Sequence, residues 1–332
     1  MNKPRYTAED VARAAGVSIM TVSRAMSGKP GVGADTKEKI IRTAKLLGYS
    51  PSKAARALAL RRSSSLGLVM PDMANPFFAI LAKAAIDVAR TAGKSVFVMN
   101  TDEDPRIELE AIEELRSEEI EGVIVAGSRL SDKKLVEAVA PFRAAVLVNR
   151  DYSGKHIGSV YVDYRSGATE AVEYLASRSR VRIGLLDGPR VSAGSRLRLA
   201  GYRDGLKRLG LPLDERLVAR CVPTIEGGEE ATRELLERAP DLDAILAYND
   251  MTAIGVLRLL EELGRSVPGG VAVIGTDNIP YAALVRPALS TMAVDIPRLG
   301  SSAMSLLLAL TEGDNAKGPP PQIPRIVIRE SA

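Results

Sequence analysis

The sequence predicts a small all-α helix-turn-helix head-piece followed by an α/β body of two lobes, each built on a doubly wound, parallel sheet. Three observations carry this. Residues Thr7 to Arg24, TAEDVARAAGVSIMTVSR, read as two short helices around a glycine turn. From Leu66 onward, short apolar runs alternate with helical stretches, and the alternation runs twice; that pattern gives parallel sheets covered by helices. Charge divides the chain in the same place: residues 1–62 hold 13 Lys and Arg against 4 Asp and Glu, whereas the rest holds 32 basic and 37 acidic residues. A basic head on a mildly acidic body indicates a polyanion-binding module joined to a separate globular domain.

In the head, Thr7 can cap the first helix, with Asp10 reaching back as in a capping box. Ala8, Val11, Ala12 and Ala15 form an apolar face at helical spacing. Gly16 supplies the turn, where a residue without Cβ takes positive φ. Ser18 is a good N-cap for a second helix carrying Thr21, Val22, Ser23 and Arg24. In a helix-turn-helix the second helix enters the DNA major groove; the same residues would also serve an ordinary αα-hairpin. A third helix is expected at about 33–47, ended by Gly48. After Pro51 comes an Ala-rich stretch up to Arg62, a helix of about ten residues, too short to stand alone in water. The string Ser50-Pro-Ser-Lys53 fits the S-x-x-K pattern of acyl-transfer enzymes, but none of its companion motifs is visible.

The first αβ run places strands at 66–70, 95–99, 122–126 and 145–148, with helices at 76–92, 108–118 and 132–140. The second places helices at 166–178, 196–209, 226–238 and 252–263, with strands at 181–186, 218–222, 244–247 and 271–274. One more helix, 296–310, and a last strand, 322–329, follow. Ligands of such sheets sit at the carboxyl ends of the strands. Pro71-Asp72, Asn149-Arg150, Asn249-Asp250 and Asp277-Asn278 all follow predicted strands. Carboxylates, amides and guanidinium groups there suit a hydroxyl-rich small molecule, and Phe77 and Phe78 could supply a flat apolar face. Taken singly, each Asp or Asn reads as a routine helix cap. Four such sites across both lobes, with Arg198 near a helix start, point to a shared pocket.

Other classes are disfavoured. No G-x-G-x-x-G follows a strand and no P-loop is present. His156 and Cys221 are the only residues of their kinds, no metal-ligand cluster is visible, and a single cysteine allows no internal disulfide. No enzyme activity, cofactor or metal is expected. Without a secretory segment or any window of about 18 uninterrupted apolar residues, the expected location is the cytoplasm, with no membrane contact.

Particular strings identify a family. Asp10-Val-Ala-x-x-Ala-Gly-Val-Ser18, Thr21-Val-Ser-Arg24, Leu47-Gly-Tyr-x-Pro51 and Ala55-Arg-x-Leu58 are followed by Pro71-Asp-x-x-Asn-Pro-Phe-Phe78, Asn249-Asp250, Gly275-x-Asp277 and Pro287-x-Leu-Ser-Thr291. Over essentially its full length the chain resembles the LacI/GalR transcription regulators, whose effector domain is periplasmic-binding-protein-like. The resemblance implies that Ile19, Met20 and Arg24 read base edges, and Arg24 can pair bidentately with a guanine. It implies phosphate contacts for Thr7, Ser18, Thr21, Ser23 and Tyr49, and a hinge leucine, Leu58, wedged into the minor groove with Ala55 beside it. Phe77, Phe78, Asn149, Arg198, Asn249 and Asp277 match effector-contact positions; Asp72, Arg150, Asp163 and Asp250 are further candidates.

Three departures stand out: Ser52 replaces the usual Asn after the proline, Val222 lies where some sugar-binding members carry an aromatic ring, and Ser179-Arg180 replaces Gly-His. The implied domains are a DNA-binding head at 1–50, a hinge helix and linker at 51–63, and an effector domain at 64–332. Its N-lobe is expected at about 64–160 and 292–321, and its C-lobe at about 161–291 and 322–332. No leucine heptad segment follows Arg329, so a homodimer on a pseudo-palindromic double-stranded operator is expected rather than a tetramer. The implied function is a repressor whose operator affinity is controlled by a sugar or sugar derivative held between the lobes. A sugar-binding protein without a transcriptional role and a co-repressor-dependent regulator of nucleotide or other metabolism are the alternatives.

Overall fold

The computed structural model describes residues 6–27, 30–49, 65–152 and 154–332. They fall into two compact units that divide between Ser64 and Ser65. Ala55 and Leu58, with the rest of the expected hinge at 51–63, lie outside the described residues.

The first unit holds helices α1 (Ala8–Ala15), α2 (Ile19–Ser27) and α3 (Ala34–Leu47). Thr7 caps α1 in a capping box with Asp10, and the Ser18 hydroxyl accepts from Thr21 N at 3.1 Å to start α2. Gly16 ends α1 at φ 68°, in the left-handed region that costs a residue with Cβ about 1–2 kcal/mol. The turn is therefore written into the sequence by one residue. Val11, Ala12, Ala15, Val22, Ala25, Ile40 and Ala44 form the head's core.

The second unit contains two sheets. In the first, β1 (Ser65–Met70), β2 (Ser95–Asn100), β3 (Gly122–Ala126), β4 (Ala144–Val148) and β5 (Ile157–Val160) lie in the order β2-β1-β3-β4-β5, all parallel. Helices α4 (Pro76–Thr91), α5 (Pro105–Ser117) and α6 (Asp132–Val139) connect them. In the second, β6 (Ile183–Asp187), β7 (Val218–Arg220), β8 (Ala244–Leu246), β9 (Ala272–Asp277), β10 (Ser290–Ala293) and β11 (Arg325–Val327) lie in the order β11-β10-β9-β8-β6-β7. Only β11 runs antiparallel, at the edge. Helices α7 (Tyr164–Ser177), α8 (Ala193–Arg208), α9 (Ile225–Arg238) and α10 (Asp250–Glu262) belong to this lobe. Both sheets reverse strand order beside their first strand, between β1 and β3 and between β6 and β8. The loops at such a reversal splay apart and leave a crevice at the strands' carboxyl ends.

Helix α11 (Ile296–Glu312) follows β10 in sequence but packs in the first lobe, where Leu299, Ala303, Met304 and Leu307 join the core of Leu68, Leu81 and Val146. Among the described residues the chain crosses between lobes near 161–163, 294–295 and 322–324. Gln322 ties the three crossings together: its carbonyl accepts from Asp163 N at 2.8 Å, its side-chain oxygen accepts from Asp295 N at 3.1 Å and its amide donates to Asp295 O at 3.1 Å.

The structure departs from the sequence reading in several places. Two strands were not foreseen, β5 and β10. IGSV and STMA carry too few large apolar residues to register as strands alone, and neighbouring strands recruit them. The last strand is three residues long rather than eight, beginning after Pro324. Helices α5, α7 and α8 start up to a turn earlier than the apolar periodicity suggests, because Asp104, Asp163 and Ser192 cap them. The lobe crossing expected between 291 and 292 falls after Ala293.

Candidate functional site

In the head, Ser18 and Thr7 spend their hydroxyls on helix caps, and Thr21 shares a 2.8 Å hydrogen bond with Ser18. Ile19 and Met20 begin α2 with their apolar side chains exposed, Met20 to 65%. Ser23 and Arg24 are exposed on the same helix, and the Arg24 guanidinium passes close to Gly31. Tyr49 instead packs partly against the head's core. Exposed apolar side chains in the first turn of α2, with an arginine in its last turn, are groups suited to thymine methyls and a guanine edge.

In the body, a cleft enclosing about 510 Å³, the part open to solvent included, lies where the two sheets' carboxyl ends face each other. The segments that follow β1, β3 and β4 contribute Phe77, Phe78, Arg129, Asn149 and Arg150; those that follow β6 and β8 contribute Gly194, Arg198, Tyr248 and Asn249, and the last residue of β9 contributes Asp277. Seven of the expected residues thus meet: Phe77, Phe78, Asn149, Arg150, Arg198, Asn249 and Asp277. Asp72 does not line the cleft and builds its own turn, accepting from Ala74 N at 2.8 Å. Asp163 caps α7. Asp250 is fully buried behind the wall, accepting from Thr291 Oγ1 at 2.5 Å and Ile279 N at 2.8 Å.

Arg198 is the most constrained of these side chains. It is 6% exposed. Its guanidinium carbon lies 3.6 Å from the Tyr164 ring centre and 4.6 Å from that of Tyr248. Asp277 Oδ1 stands 3.9 Å from Nη2, an ion pair but beyond hydrogen-bond length. Arg198 Nε and Asn149 Oδ1 are buried without a hydrogen-bond partner among the described residues, while Asn149 Nδ2 donates to the Tyr164 hydroxyl at 3.2 Å. A buried donor and a buried acceptor left open on facing lobes are free to be met by a ligand.

The cations of the cleft are individually balanced. Arg129 pairs with Glu103 through two hydrogen bonds, one of 2.8 Å. Arg150 pairs with Asp132 and also donates to the carbonyls of Leu130 at 2.6 Å and Val191 at 3.2 Å. Val191 is in the second lobe, so this guanidinium spans the cleft, as does the 3.7 Å pair of Arg196 with Asp132. Burial, then the Arg196 charge, lowers Arg150 to about 10, which leaves it charged at neutral pH. Burial raises Asp277 well above the ordinary carboxylate range against the pull of Arg198, and the charge of Asp250 adds to the rise. Glu103, Asn149 and Asp277 all hold positive φ, at 61°, 62° and 114°. Strain of about 1–3 kcal/mol per residue of this kind gathers at functional sites.

Sequence reasoning missed Glu103, Arg129, Tyr164, Ser192 and Tyr248, all of which line the cleft. The strand-end rule could have found Arg129 and Tyr248, which stand within three residues of β3 and β8. Val222 is exposed, and its neighbour Pro223 reaches the lining instead. Cys221 is buried beyond β7 and burial pushes its thiol up to about 12, unlike a nucleophile's. Ser179 takes φ 63° and Arg180 donates to the carbonyls of Pro268 and Gly269, so this departure serves a turn and a loop.

Residues 63–327 match the family of periplasmic binding proteins and sugar binding domain of the LacI family, and residues 7–52 match the bacterial regulatory proteins of the lacI family. The chain belongs to the LacI family. Among similar LacI-family proteins, the transcriptional regulator GalR of Escherichia coli K12 is 33% identical over 92% of this chain and 89% of its own length. Catabolite control protein A of Priestia megaterium is 30% identical over 98% of both. The lac repressor dimer bound to operator and the anti-inducer ONPF superposes with a TM-score of 0.87 at 26% identity over 99% of both chains. The regulator CelR in complex with cellobiose gives 0.73 at 28% identity over 99% of this chain and 100% of its own. As a LacI-family member, this chain is a DNA-binding transcriptional repressor with a sugar-binding type of effector domain, not an enzyme. Among the described residues no helix is long and apolar enough to cross a membrane.

Proposed function

We propose that the chain is a cytoplasmic, homodimeric repressor whose grip on a pseudo-palindromic operator is set by a neutral, hydroxyl-rich ligand, a sugar or derivative, held between the lobes. The observation that carries the ligand class is the pairing of every charged lining side chain, Arg129 with Glu103, Arg150 with Asp132 and Arg198 with Asp277, beside an unmet donor and an unmet acceptor. A sugar hydroxyl accepts from the arginine and donates to the carboxylate at once, filling the 3.9 Å gap between Arg198 and Asp277. Phe77 and Phe78, packed edge to face with centroids 5.1 Å apart, offer an apolar wall to a ring. Asn149, Arg150 and Asn249 complete this set; Asp72 does not belong to it.

In the head, Ile19, Met20 and Arg24 are assigned to base edges, and Thr7, Ser18, Thr21 and Ser23 to the flanking phosphates. Leu58 and Ala55 keep the minor-groove role that the family resemblance implies. For the second copy, the first lobe offers a shallow apolar groove along α4 and the edge strand β2, with Met73, Ile86 and Val98. The lac repressor dimer on operator supports such pairing.

The reading is tested by titrating the full-length protein against its own upstream DNA over a salt series, with residues 63–332 as control. Tight binding that weakens steeply with salt, is lost in the control and is shifted by one of a panel of sugars is the expected result. Equal binding to random DNA in the presence and absence of every sugar would overturn it.

A further inference from the structure

We propose that Tyr248 is a positioning residue of the cleft: with Tyr164 it clamps the Arg198 guanidinium face to face, so that the donor edge of Arg198, not its flat face, is offered to the ligand. The inference rests on the reading of the cleft as the effector site. A guanidinium has two π-faces and an in-plane rim of five N–H donors. Here the guanidinium carbon lies over two aromatic rings, 3.6 Å from the centre of Tyr164 and 4.6 Å from that of Tyr248. Its rim approaches Asp277 at 3.9 Å, and Nε has no hydrogen-bond partner among the described residues. Stacking removes freedom of rotation without using a donor, so the fork is rigid before a ligand arrives; that lowers the ordering cost of binding.

Tyr248 is itself fixed by its neighbours. Its hydroxyl meets the Ser192 hydroxyl at 3.1 Å, and Ser192 caps α8, the helix that carries Arg198. Gly188 lies against the ring, where a Cβ would stand 2.5 Å from Cε2. A side chain at position 188 would force the Tyr248 ring from its present place. The ring is also 8% exposed, so it does not swing aside to solvent. Tyr164 cannot do this work alone, because one ring leaves the guanidinium free to tilt away from its other face. The absence of any tryptophan from the chain leaves tyrosine as the larger aromatic available for such stacking, and a cation between two desolvated rings gains more than an exposed pair.

The test has two arms on full-length protein. In the first, arginine is isotope-labelled and the Arg198 Nε–H resonance is identified by its loss in Arg198→Lys. Ring currents from the clamp should displace it upfield; Tyr248→Leu and Gly188→Ala should return it toward the position of a free arginine, and Tyr248→Phe should leave it in place. An undisplaced resonance, or one indifferent to Tyr248→Leu, overturns the proposal without reference to any ligand. In the second arm, D-galactose, D-ribose and cellobiose are titrated calorimetrically. For a sugar that binds, Tyr248→Leu should weaken affinity about tenfold, Tyr248→Phe less than about threefold, and Tyr248→Leu added to Arg198→Lys should cause little further loss. Equal losses in the native and Arg198→Lys backgrounds overturn the positioning role. Binding of none of the three sugars counts against the effector reading alone, since the resonance of Arg198 still decides the clamp.

Discussion

A guanidinium at 6% exposure without a full set of acceptors is costly unless its surroundings compensate, and Arg198 is compensated by two rings and one carboxylate. Removing it should therefore act on ligand response far more than on DNA binding. Arg198→Ala is expected to abolish the sugar-induced change in operator affinity while shifting basal operator affinity less than about threefold, as read by titrating sugar into a DNA-binding assay; an intact response would remove Arg198 from the site. Asp250 and Asp277 behave differently. Burial is the first cause of both rises, and Asp250 is pushed up to about 7. A carboxyl whose pKa is higher in the fold than in the open chain binds its proton more tightly when folded. Its contribution to stability is full below the ordinary value of 3.8 and is lost as pH rises toward about 7. Thermal unfolding should show the body losing this part of its stability across that window, with a flatter dependence in Asp250→Asn; an unchanged slope would show that Asp250 titrates elsewhere. At this scale the polar half of the cleft was legible from Asn, Asp and Arg after strands. Tyr164 and Tyr248 were not, because an aromatic residue at a strand end reads as core until its neighbour is known to be a cation.

Helices and strands were legible in proportion to how local their causes are. Helix α1 is set by Thr7, Asp10 and Gly16, all within ten residues, and its limits could be read directly. Strand β10 has no such local cause. Its Ser290 hydroxyl accepts from Arg329 N, its Thr291 hydroxyl donates to Asp250, and its backbone pairs with β9 and β11. Those partners lie far away in sequence and leave no periodic trace in it. The same contrast governs the cap of α2. Ser18→Ala removes the acceptor for Thr21 N and should cost about 1 kcal/mol of head stability. Faster hydrogen exchange in the first turn of α2 and weaker operator binding, with body exchange unaltered, are the expected signs; unaltered exchange in α2 would mean the cap is not needed.

Across the whole molecule, the lobes meet through contacts of unequal worth. Asp132 and Arg196 are 70% and 51% exposed in their side chains, so their pair should contribute less than about 1 kcal/mol. Arg150 is buried and holds carbonyls from both lobes. Sugar affinity should therefore fall less than about fivefold in Arg196→Ala and by more than about tenfold in Arg150→Ala; equal losses would place the closure elsewhere. The doubling of one topology across two lobes was legible from the repeated alternation, whereas the return of α11 to the first lobe was not legible from periodicity alone. That return sets an order of manufacture. The head is completed early, but the first lobe, begun at Ser65, waits for Leu299 to Leu310 before its core can close. The second waits for Ser331, which is fully buried and bonded to Val273 and Ser290. A growing chain thus carries a finished DNA-binding unit long before it has a lobe able to sense a metabolite or hold a second copy. Regulation of that unit has to wait until Leu299 to Leu310 and Ser331 have been made, because neither lobe can close before then.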